Sequence, residues 1–228
     1  MILLPIKNLA KAKQRLASVL DQAARTEFAQ AMLMDVVAAI ASFAGDEVAL
    51  VTSDPFALEL AGRYRFEVIR DETNVSETDA IEMATRVCEA RGTASTLVIP
   101  GDIPLIDASD IRAIYEASPE TGAALVPSTD KRGTNAVLRR PASLFPLRFG
   151  NDSFMPHLAA AIATNKSCLV LSLPRIGLDI DTPEDLYQLA QAPGERRSQV
   201  LTRQLGFSEK SRSAGDPKDE SSLATKFE

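Results

Sequence analysis

The sequence is poor in the residues on which nucleophilic and transition-metal sites depend. Its 228 residues include one histidine, two cysteines and no tryptophan. A zinc cluster or a Ser-His-Asp triad would have to be built around His157 alone, so both kinds of site are disfavoured. Cys88 and Cys168 lie far apart in apolar stretches. We therefore expect buried free thiols, as in a cytoplasmic protein, rather than a disulfide.

Long hydrophobic runs and excess positive charge are also missing. No apolar run approaches the roughly 18 residues of a membrane span, and no basic residues precede the short apolar start, as they would in a signal peptide. The net charge of -6 disfavours a nucleic-acid partner, because polyanion binding needs a basic field. The sequence lacks a Walker motif, which excludes a P-loop. We expect a cytoplasmic protein with neither a membrane nor a nucleic-acid partner.

Short apolar runs alternate with longer stretches of helical period, a pattern typical of α/β proteins with a mainly parallel sheet and helices on both faces. The predicted strands are Ile2–Ile6, Glu47–Thr52, Phe66–Ile69, Thr96–Ile99, Ala123–Pro127, Asn135–Leu138 and Cys168–Leu173. The predicted helices are Asp21–Ser42, Pro55–Arg63, Thr78–Arg91, Ala108–Ala117, Ser153–Thr164 and Pro183–Gln191.

The rhythm breaks at residues 123–140, where two strands joined by residues 128–133 predict an antiparallel addition to the sheet. We expect a single domain over residues 1–207. The polar composition of residues 208–228 predicts a disordered tail.

Three aspartates follow apolar runs. Asp102 comes just after the predicted strand that ends at Ile99, at the sheet edge where α/β proteins bind ligands. A turn formed by Gly101 and Pro104 explains the same residues equally well. Asp179 and Asp181 are two residues apart, so in an extended segment both carboxylates point to one side.

A helix cap is the competing explanation for Asp181. However, Thr182-Pro183-Glu184-Asp185 already has a cap residue, a proline at the first helical position and an acid three residues after the threonine. Asp181 is then free for another role. Neighbouring carboxylates need a cation, and an all-oxygen ligand set suits Mg²⁺ or Mn²⁺. We interpret Asp179 and Asp181 as metal ligands.

Cations gather after the first predicted strand. Lys7 follows that strand directly, and Lys11, Lys13 and Arg15 come within a few residues. Such a group is suited to binding phosphates. For Lys11 we favour a solvated helix end.

A second anion site is predicted before the fifth helix. Gly150 permits close backbone approach and Ser153 stands at the helix start, where unpaired amides attract anions. An ordinary serine cap explains Ser153 nearly as well. Thr134 follows a glycine at a strand start. His157, one turn after Ser153, could face the same ligand, although we favour a packed surface histidine.

These segments, in this order, resemble the guanylyltransferases of deazaflavin coenzyme F-420 biosynthesis, the CofC/FbiD family. The resemblance covers about residues 2 to 192. It is carried by Leu4-Pro5-Ile6-Lys7, Lys13-Gln14-Arg15-Leu16, Gly101-Asp102-Ile103-Pro104-Leu105, Gly133-Thr134-Asn135-Ala136, Phe149-Gly150, Ser153-Phe154, His157 and the stretch from Leu178 to Leu186.

The resemblance implies a glycosyltransferase-A-like, Rossmann-like nucleotidyltransferase fold. It also implies transfer of GMP from GTP to a phosphorylated three-carbon acid, with release of pyrophosphate. Asp102, Asp179 and Asp181 would hold two Mg²⁺ ions, with Asp102 and Lys7 at the reacting phosphates. Lys7, Lys13 and Arg15 would bind the nucleotide. The acceptor acid would be bound by Thr134, Gly150 and Ser153.

The same resemblance implies a homodimer and, as functional partner, a downstream phospho-transferase that uses a deazaflavin. Two segments depart from the family pattern: residues 74–81 and Asn151-Asp152, which replaces the usual small residues. Both border the expected substrate pockets and leave the acceptor open among phosphoenolpyruvate, which we favour, 2-phospho-L-lactate and 3-phospho-D-glycerate. The alternatives are a molybdopterin guanylyltransferase, a sugar-phosphate nucleotidyltransferase and a non-catalytic nucleotide-binding protein.

Overall fold

The computed structural model describes residues 1–71 and 76–208. The strands in this part of the chain are β1 (Ile2–Ile6), β2 (Val48–Thr52), β3 (Glu67–Ile69), β4 (Thr96–Val98), β5 (Gly122–Pro127), β6 (Thr134–Arg140) and β7 (Ser167–Val170). The helices are α1 (Gln22–Phe43), α2 (Pro55–Tyr64), α3 (Glu77–Ala90), α4 (Ala108–Ala117), α5 (Phe154–Ala163), α6 (Pro174–Gly177), α7 (Pro183–Gln191) and α8 (Arg197–Gln204). Single 3₁₀ turns cover Leu9–Lys11 and Gln14–Leu16.

The strands form one sheet in the order β3-β2-β1-β4-β6-β5-β7. The pairs β1–β2, β1–β4, β2–β3 and β5–β7 are parallel. Strand β6 runs antiparallel to both of its neighbours, β4 and β5. The predicted mainly parallel sheet with an antiparallel addition is therefore confirmed.

Helices cover both faces of the sheet, as β1 shows. Ile2 and Leu4 pack with α1, α2 and α4 on one face, while Leu3 packs with α3 and α5 on the other. All five residues of β1 are buried. A strand buried on both faces is continuously apolar, which explains why the first predicted strand is the plainest in the sequence.

Each predicted strand and helix is present, and no end is shifted by more than three residues. The prediction that Cys168–Leu173 is one strand is partly wrong: β7 ends at Val170, and α6 begins at Pro174. Cys88 is a buried free thiol as expected, whereas Cys168 is free but only half-buried. The predicted tail lies outside the described residues, apart from Ser208.

Helix α1 has the length and apolar composition of a membrane span, which no run in the sequence had suggested. In the fold it packs against the sheet, α4 and α8, and 11 of its 22 residues are buried. A long core helix of this kind meets the same length and composition criteria as a membrane span, so the feature is explained by packing.

Helix α8 was not predicted, because its sequence is mostly polar. Its position depends on α1. The buried Asp35 carboxylate accepts hydrogen bonds from the Arg197 and Ser198 amides at 3.1 and 2.9 Å and from the Ser198 hydroxyl at 2.6 Å. These contacts satisfy the first amides of α8 from outside the helix.

We expect replacement of Asp35 by alanine to lower the free energy of unfolding by about 2–3 kcal/mol, because buried donors lose a charged acceptor. Urea denaturation measures the change. The control is Glu59→Ala, which removes an exposed ion pair with Arg63 and should change stability by less than about 0.5 kcal/mol. Equal effects from both variants would contradict the anchoring role of Asp35.

Candidate active site

Two adjoining cavities open at the carboxyl ends of β1 and β4. The first has a volume of about 710 Å³ and is lined mainly by loops around β6, α5 and α7. The second, about 670 Å³, is lined by the loop after β1, by α1 and by the start of α3. Their shared border consists of Arg15, Glu77, Pro100, Asp102 and Asp181. Residues from distant parts of the chain thus meet at the edge predicted for ligand binding.

The centre of this border is an ammonium group between two carboxylates. Lys13 Nζ lies 2.7 Å from Asp102 Oδ2 and 2.8 Å from Asp181 Oδ1. The Lys13 backbone is left-handed, with φ of 55°, and its side chain is only 8% exposed. The Ile180 amide donates to the Asp102 carbonyl at 3.1 Å, which joins the two acidic loops directly.

These charges shift one another's protonation equilibria. Burial opposes the charge on Lys13, but Asp102 and Asp181 outweigh it and raise the pKa of the lysine. Burial likewise opposes ionisation of Asp181, but Lys13 and Arg15 hold the pKa of that carboxyl below its usual range. Glu77 is nearby, and burial together with the charge of Asp102 raises its pKa to about 7. Lys13 and Arg15 thus keep Asp181 ionised, whereas burial and the neighbouring carboxylates favour the protonated form of Glu77.

Asp179 has a different environment from Asp181. It lines the first cavity, and its carboxylate accepts from Asn135 Nδ2 at 3.0 Å. Burial and the charge of Asp102 raise its pKa. Thr182 and Asp185 form the predicted capping box at the start of α7. Asp181 is therefore free of a capping role, as expected from the sequence.

The three aspartates offer the oxygen donors that a hard divalent cation prefers, and all three line the first cavity. Within residues 1–71 and 76–208, no three acidic, histidine or cysteine side chains converge as a ready metal cluster. Lys13 occupies the space between two of the aspartates, and Asn135 binds the third. The donor set fits Mg²⁺ once Lys13 is displaced, and metal binding by Asp102, Asp179 and Asp181 stays a prediction.

The predicted phosphate-binding cations line the second cavity. Lys7 Nζ contacts Asp71 Oδ2 at 2.6 Å. Arg15 contacts Asp181 Oδ2 at 3.2 Å and Asn151 Oδ1 at 2.9 Å, so it spans the border between the cavities. Lys11 is exposed, in agreement with the interpretation that it is a solvated side chain.

The three predicted acceptor-binding residues line the first cavity together. Thr134 and Ser153 are 4% and 3% exposed. The Ser153 hydroxyl accepts from the Thr134 amide at 3.0 Å and makes no cap hydrogen bond within α5, although Ser153 is the N-cap residue. The ordinary-cap explanation is therefore wrong. Gly150 has a positive φ of 126°, a conformation that favours glycine.

The departures at residues 151 and 152 are accommodated locally. Asp152 pairs with Arg132, whose Nε and Nη2 lie 2.6 and 3.3 Å from the two carboxylate oxygens. Its negative charge is thus balanced beside the predicted anion site. Asn151 holds Arg15. Of the other departure, residues 74 and 75 lie outside the described part.

His157 is fully buried, so the expectation of a surface histidine is wrong. Its Nε2 accepts from the Arg148 amide at 2.7 Å, and its Nδ1 lies 2.9 Å from Thr134 Oγ1. The ring meets Phe149 edge-on, with centroids 5.0 Å apart. His157 shares the buried face of α5 with Phe154 and Ala161.

Sequence reasoning missed Asn135 and Glu77 as site residues. Asn135 lies in the Gly133-Thr134-Asn135-Ala136 motif. Only the fold brings its side-chain amide to the Asp179 carboxylate and to the Ile176 carbonyl, which is 2.9 Å away. Glu77 begins α3 and resembles an ordinary first-turn acid. Neither residue carries a signal in the sequence that separates it from a structural role.

Comparison with known proteins identifies the family. Residues 1–222 match the family described as "Guanylyl transferase CofC like". The chain belongs to this family. A phosphoenolpyruvate guanylyltransferase of Rubrobacter xylanophilus is 36% identical over 191 residues, 83% of this chain and 93% of that protein. A 2-phospho-L-lactate guanylyltransferase of Methanothermobacter thermautotrophicus is 29% identical over 208 residues, 91% of this chain and 92% of that one.

Solved structures confirm the fold of this CofC-like protein. A putative nucleotide-diphospho-sugar transferase from Desulfovibrio desulfuricans superposes with a TM-score of 0.72 at 19% identity, over 89% of this chain and 93% of that one. A nucleotidyl transferase from Methanothermobacter gives a TM-score of 0.59 at 15% identity, over 88% and 97%. The predicted nucleotidyltransferase fold is confirmed.

Burial of His157 predicts an acid-sensitive fold. Desolvation, with a contribution from Arg139, lowers its pKa from 6.5 to about 4. As pH falls below about 6.5, the unfolded chain binds the proton and the folded chain does not, so stability is lost until about pH 4. We expect this residue to account for about 3 kcal/mol of that loss.

Urea denaturation between pH 7.5 and 4 of the wild type and His157→Gln measures this contribution. Over that window the unfolding free energy of the wild type should fall more steeply than that of His157→Gln, because only the wild type has the buried histidine. Parallel pH profiles would contradict the assignment.

Proposed function

We propose that this protein transfers GMP from GTP to a phosphorylated three-carbon acid and releases pyrophosphate, as a step of coenzyme F-420 biosynthesis in the cytoplasm. The observation that carries the proposal is the pair of adjoining cavities, one lined by lysines and the other by buried hydroxyls and a glycine turn. Asp102 and Asp181 stand on their border. This arrangement suits a reaction between two bound anions.

We infer that phosphoenolpyruvate is the acceptor. Relatives named phosphoenolpyruvate guanylyltransferase share 31–36% identity with this chain. Two named 2-phospho-L-lactate guanylyltransferase share 29% and 25%. Asn151 and Asp152, which depart from the family pattern, line the acceptor cavity. The acceptor is therefore tested against 2-phospho-L-lactate and 3-phospho-D-glycerate.

The chemistry needs no protein base. A phosphomonoester has its second pKa near ~6, so at neutral pH a phosphate oxygen is already an anionic nucleophile. That oxygen forms a bond to the α-phosphorus of GTP while the bond between this phosphorus and the β-bridging oxygen breaks. Pyrophosphate leaves with that electron pair. A chain with one buried histidine can therefore catalyse the reaction by alignment and charge stabilisation.

Each group of residues has a task in this scheme. Lys7, Lys13 and Arg15 bind the triphosphate from the second cavity. Thr134, Gly150 and Ser153 hold the acceptor in the first cavity. Asp102, Asp179 and Asp181 would hold Mg²⁺, which when bound supplies positive charge to the reacting phosphate oxygens. Lys13, released from the carboxylates, would then be available to the phosphates.

The product joins a nucleotide to the three-carbon acid through a diphosphate. It therefore suits a downstream phospho-transferase that passes the phosphorylated acid to a deazaflavin. The family resemblance supports that partner and also a homodimer. Guanine selection is proposed from the family alone. The sequence offers Ser53-Asp54 or residues 71–79 for the base pocket, and residues 72–75 lie outside the described part of the chain. The Asp54 carboxylate accepts hydrogen bonds from the amides of Leu9, Phe56 and Ala57.

We expect pyrophosphate release from GTP, Mg²⁺ and phosphoenolpyruvate, with less or none when ATP replaces GTP. Parallel reactions with 2-phospho-L-lactate and 3-phospho-D-glycerate rank the acceptors, and the downstream transferase with its deazaflavin traps the labile product. Release with a different acid would reassign the acceptor. Folded protein that binds GTP yet is silent with all three acids would refute the proposed function.

The matched variants for this assay are Asp102→Asn and Glu184→Gln. Loss of the Asp102 charge at the reacting centre should reduce kcat/KM at least about a hundredfold. Glu184 is an exposed acid three residues beyond Asp181 and its variant should retain full activity. An active Asp102→Asn enzyme would remove Asp102 from the mechanism.

Competition between Lys13 and a metal ion gives an independent prediction. In Lys13→Met the carboxylates of Asp102 and Asp181 lose their cation, so the nucleotide-free protein should bind Mn²⁺ about five- to tenfold more tightly than the wild type. Electron paramagnetic resonance of free Mn²⁺ measures this. Lys11→Met, at an exposed lysine of the same loop, is the control.

The gain should disappear in Lys13→Met combined with Asp181→Asn, because a ligand is then removed together with the competitor. If Lys13→Met binds Mn²⁺ no better than the wild type, or the double variant binds as tightly, the metal assignment fails.

A further inference from the structure

The hydrogen bonds of His157 fix which ring nitrogen carries the proton. Nε2 lies 2.7 Å from the Arg148 backbone nitrogen, and a backbone amide can only donate, so Nε2 is the acceptor. In the neutral ring the proton is then on Nδ1. Full burial of the side chain disfavours the doubly protonated ring. Nδ1–H therefore donates to Thr134 Oγ1, 2.9 Å away.

This donation decides what the Thr134 hydroxyl offers to the cavity. A hydroxyl has one proton and two lone pairs. Because one lone pair accepts from His157, the proton cannot be given to the histidine and is free for a ligand. In the opposite tautomer Thr134 would donate to the ring and present only lone pairs, which repel an anion.

Ser153 is arranged in the same way. Its hydroxyl accepts from the Thr134 amide at 3.0 Å, and among the described residues no protein group accepts its proton. Both side chains are almost fully buried and both line the first cavity. The floor of this cavity thus presents two hydroxyl donors, the pattern that suits a carboxylate or phosphate oxygen.

We propose that His157 is a positioning residue that, through Nδ1–H, holds the Thr134 hydroxyl as a hydrogen-bond donor to the anionic acceptor. The inference rests on the proposed function, which assigns the acceptor to the first cavity. His157 does not touch the acceptor itself. Through Nε2 and Arg148 it also fixes the turn that carries Phe149 and Gly150 into the same cavity.

Two variants separate these contacts. In His157→Asn the amide nitrogen is as many bonds from Cα as Nδ1, so it can still donate to Thr134 but no longer reaches Arg148. In His157→Gln the amide oxygen is as many bonds from Cα as Nε2, so it can still accept from Arg148 while the donor to Thr134 is lost.

We expect His157→Gln to raise the KM for the acceptor acid about tenfold, the effect of one lost hydrogen bond at a charged ligand, with the KM for GTP unchanged. His157→Asn should stay within about threefold of the wild type. In a Thr134→Ala background His157→Gln should cause no further rise in the acceptor KM, because the hydroxyl through which it acts is absent. Equal acceptor KM values for His157→Gln and His157→Asn, in protein that retains Thr134, would overturn the proposal.

Nitrogen NMR tests the tautomer without any variant. The chain has one histidine, so ¹⁵N-histidine labelling gives one pair of ring nitrogens. We expect the proton on Nδ1 at neutral pH, and a shift of its signal when phosphoenolpyruvate is added. A proton on Nε2, or an imidazolium, would overturn the proposal even if both variants fail to fold.

Failure of this inference is distinguishable from failure of the proposed function. An active wild type whose Asn and Gln variants share one acceptor KM refutes the positioning role alone. A wild type that is inactive with each acid refutes the proposed function. If it still binds phosphoenolpyruvate, and more weakly after His157→Gln than after His157→Asn in an NMR titration, the positioning role stands.

Discussion

The active-site region is organised around two carboxylates that share one ammonium group. Asp102 and Asp181 come from loops that follow different parts of the sheet, and their mutual repulsion requires a cation between them. Lys13 supplies it, with contacts of 2.7 and 2.8 Å. The hydrogen bond from the Ile180 amide to the Asp102 carbonyl keeps the loops together. The border between the two cavities depends on this arrangement, because the charged residues of the border surround the Lys13 ammonium group.

Strand β6 serves this border and the acceptor cavity at once. Successive residues of a strand point to opposite faces. Asn135 therefore reaches Asp179 and the α6 side, while its neighbour Thr134 reaches His157 and the α5 side. Because β6 runs antiparallel to its neighbours β4 and β5, it begins at the sheet edge where β4 ends. Its first residues can thus lie beside Asp102.

Different residues determine the fold and the function of this protein. Two solved transferase structures share its architecture at 15 and 19% identity, which means that the sheet and its helices tolerate extensive change of sequence. Activity resides in the residues placed at the sheet edge. Membership of the CofC-like family, together with two adjoining cavities of different lining, connects this chain to guanylyl transfer. The buried hydroxyls and the basic loop are the groups suited to binding the two anionic substrates.

The sequence by itself determined most helices and strands and which charged residues are available for the site. Strands buried on both faces must be continuously apolar, and a capping box is a local signal, so β1, the hairpin and the role of Thr182 were predictable. Local patterns do not encode long-range contacts. Helix α8 depends on Asp35, 162 residues from Arg197, and the histidine expected at the surface became the buried partner of Thr134. Lys13 was predicted to meet phosphate, yet its position between two carboxylates was decided by tertiary structure, because that position exists only when three distant segments fold onto one sheet edge.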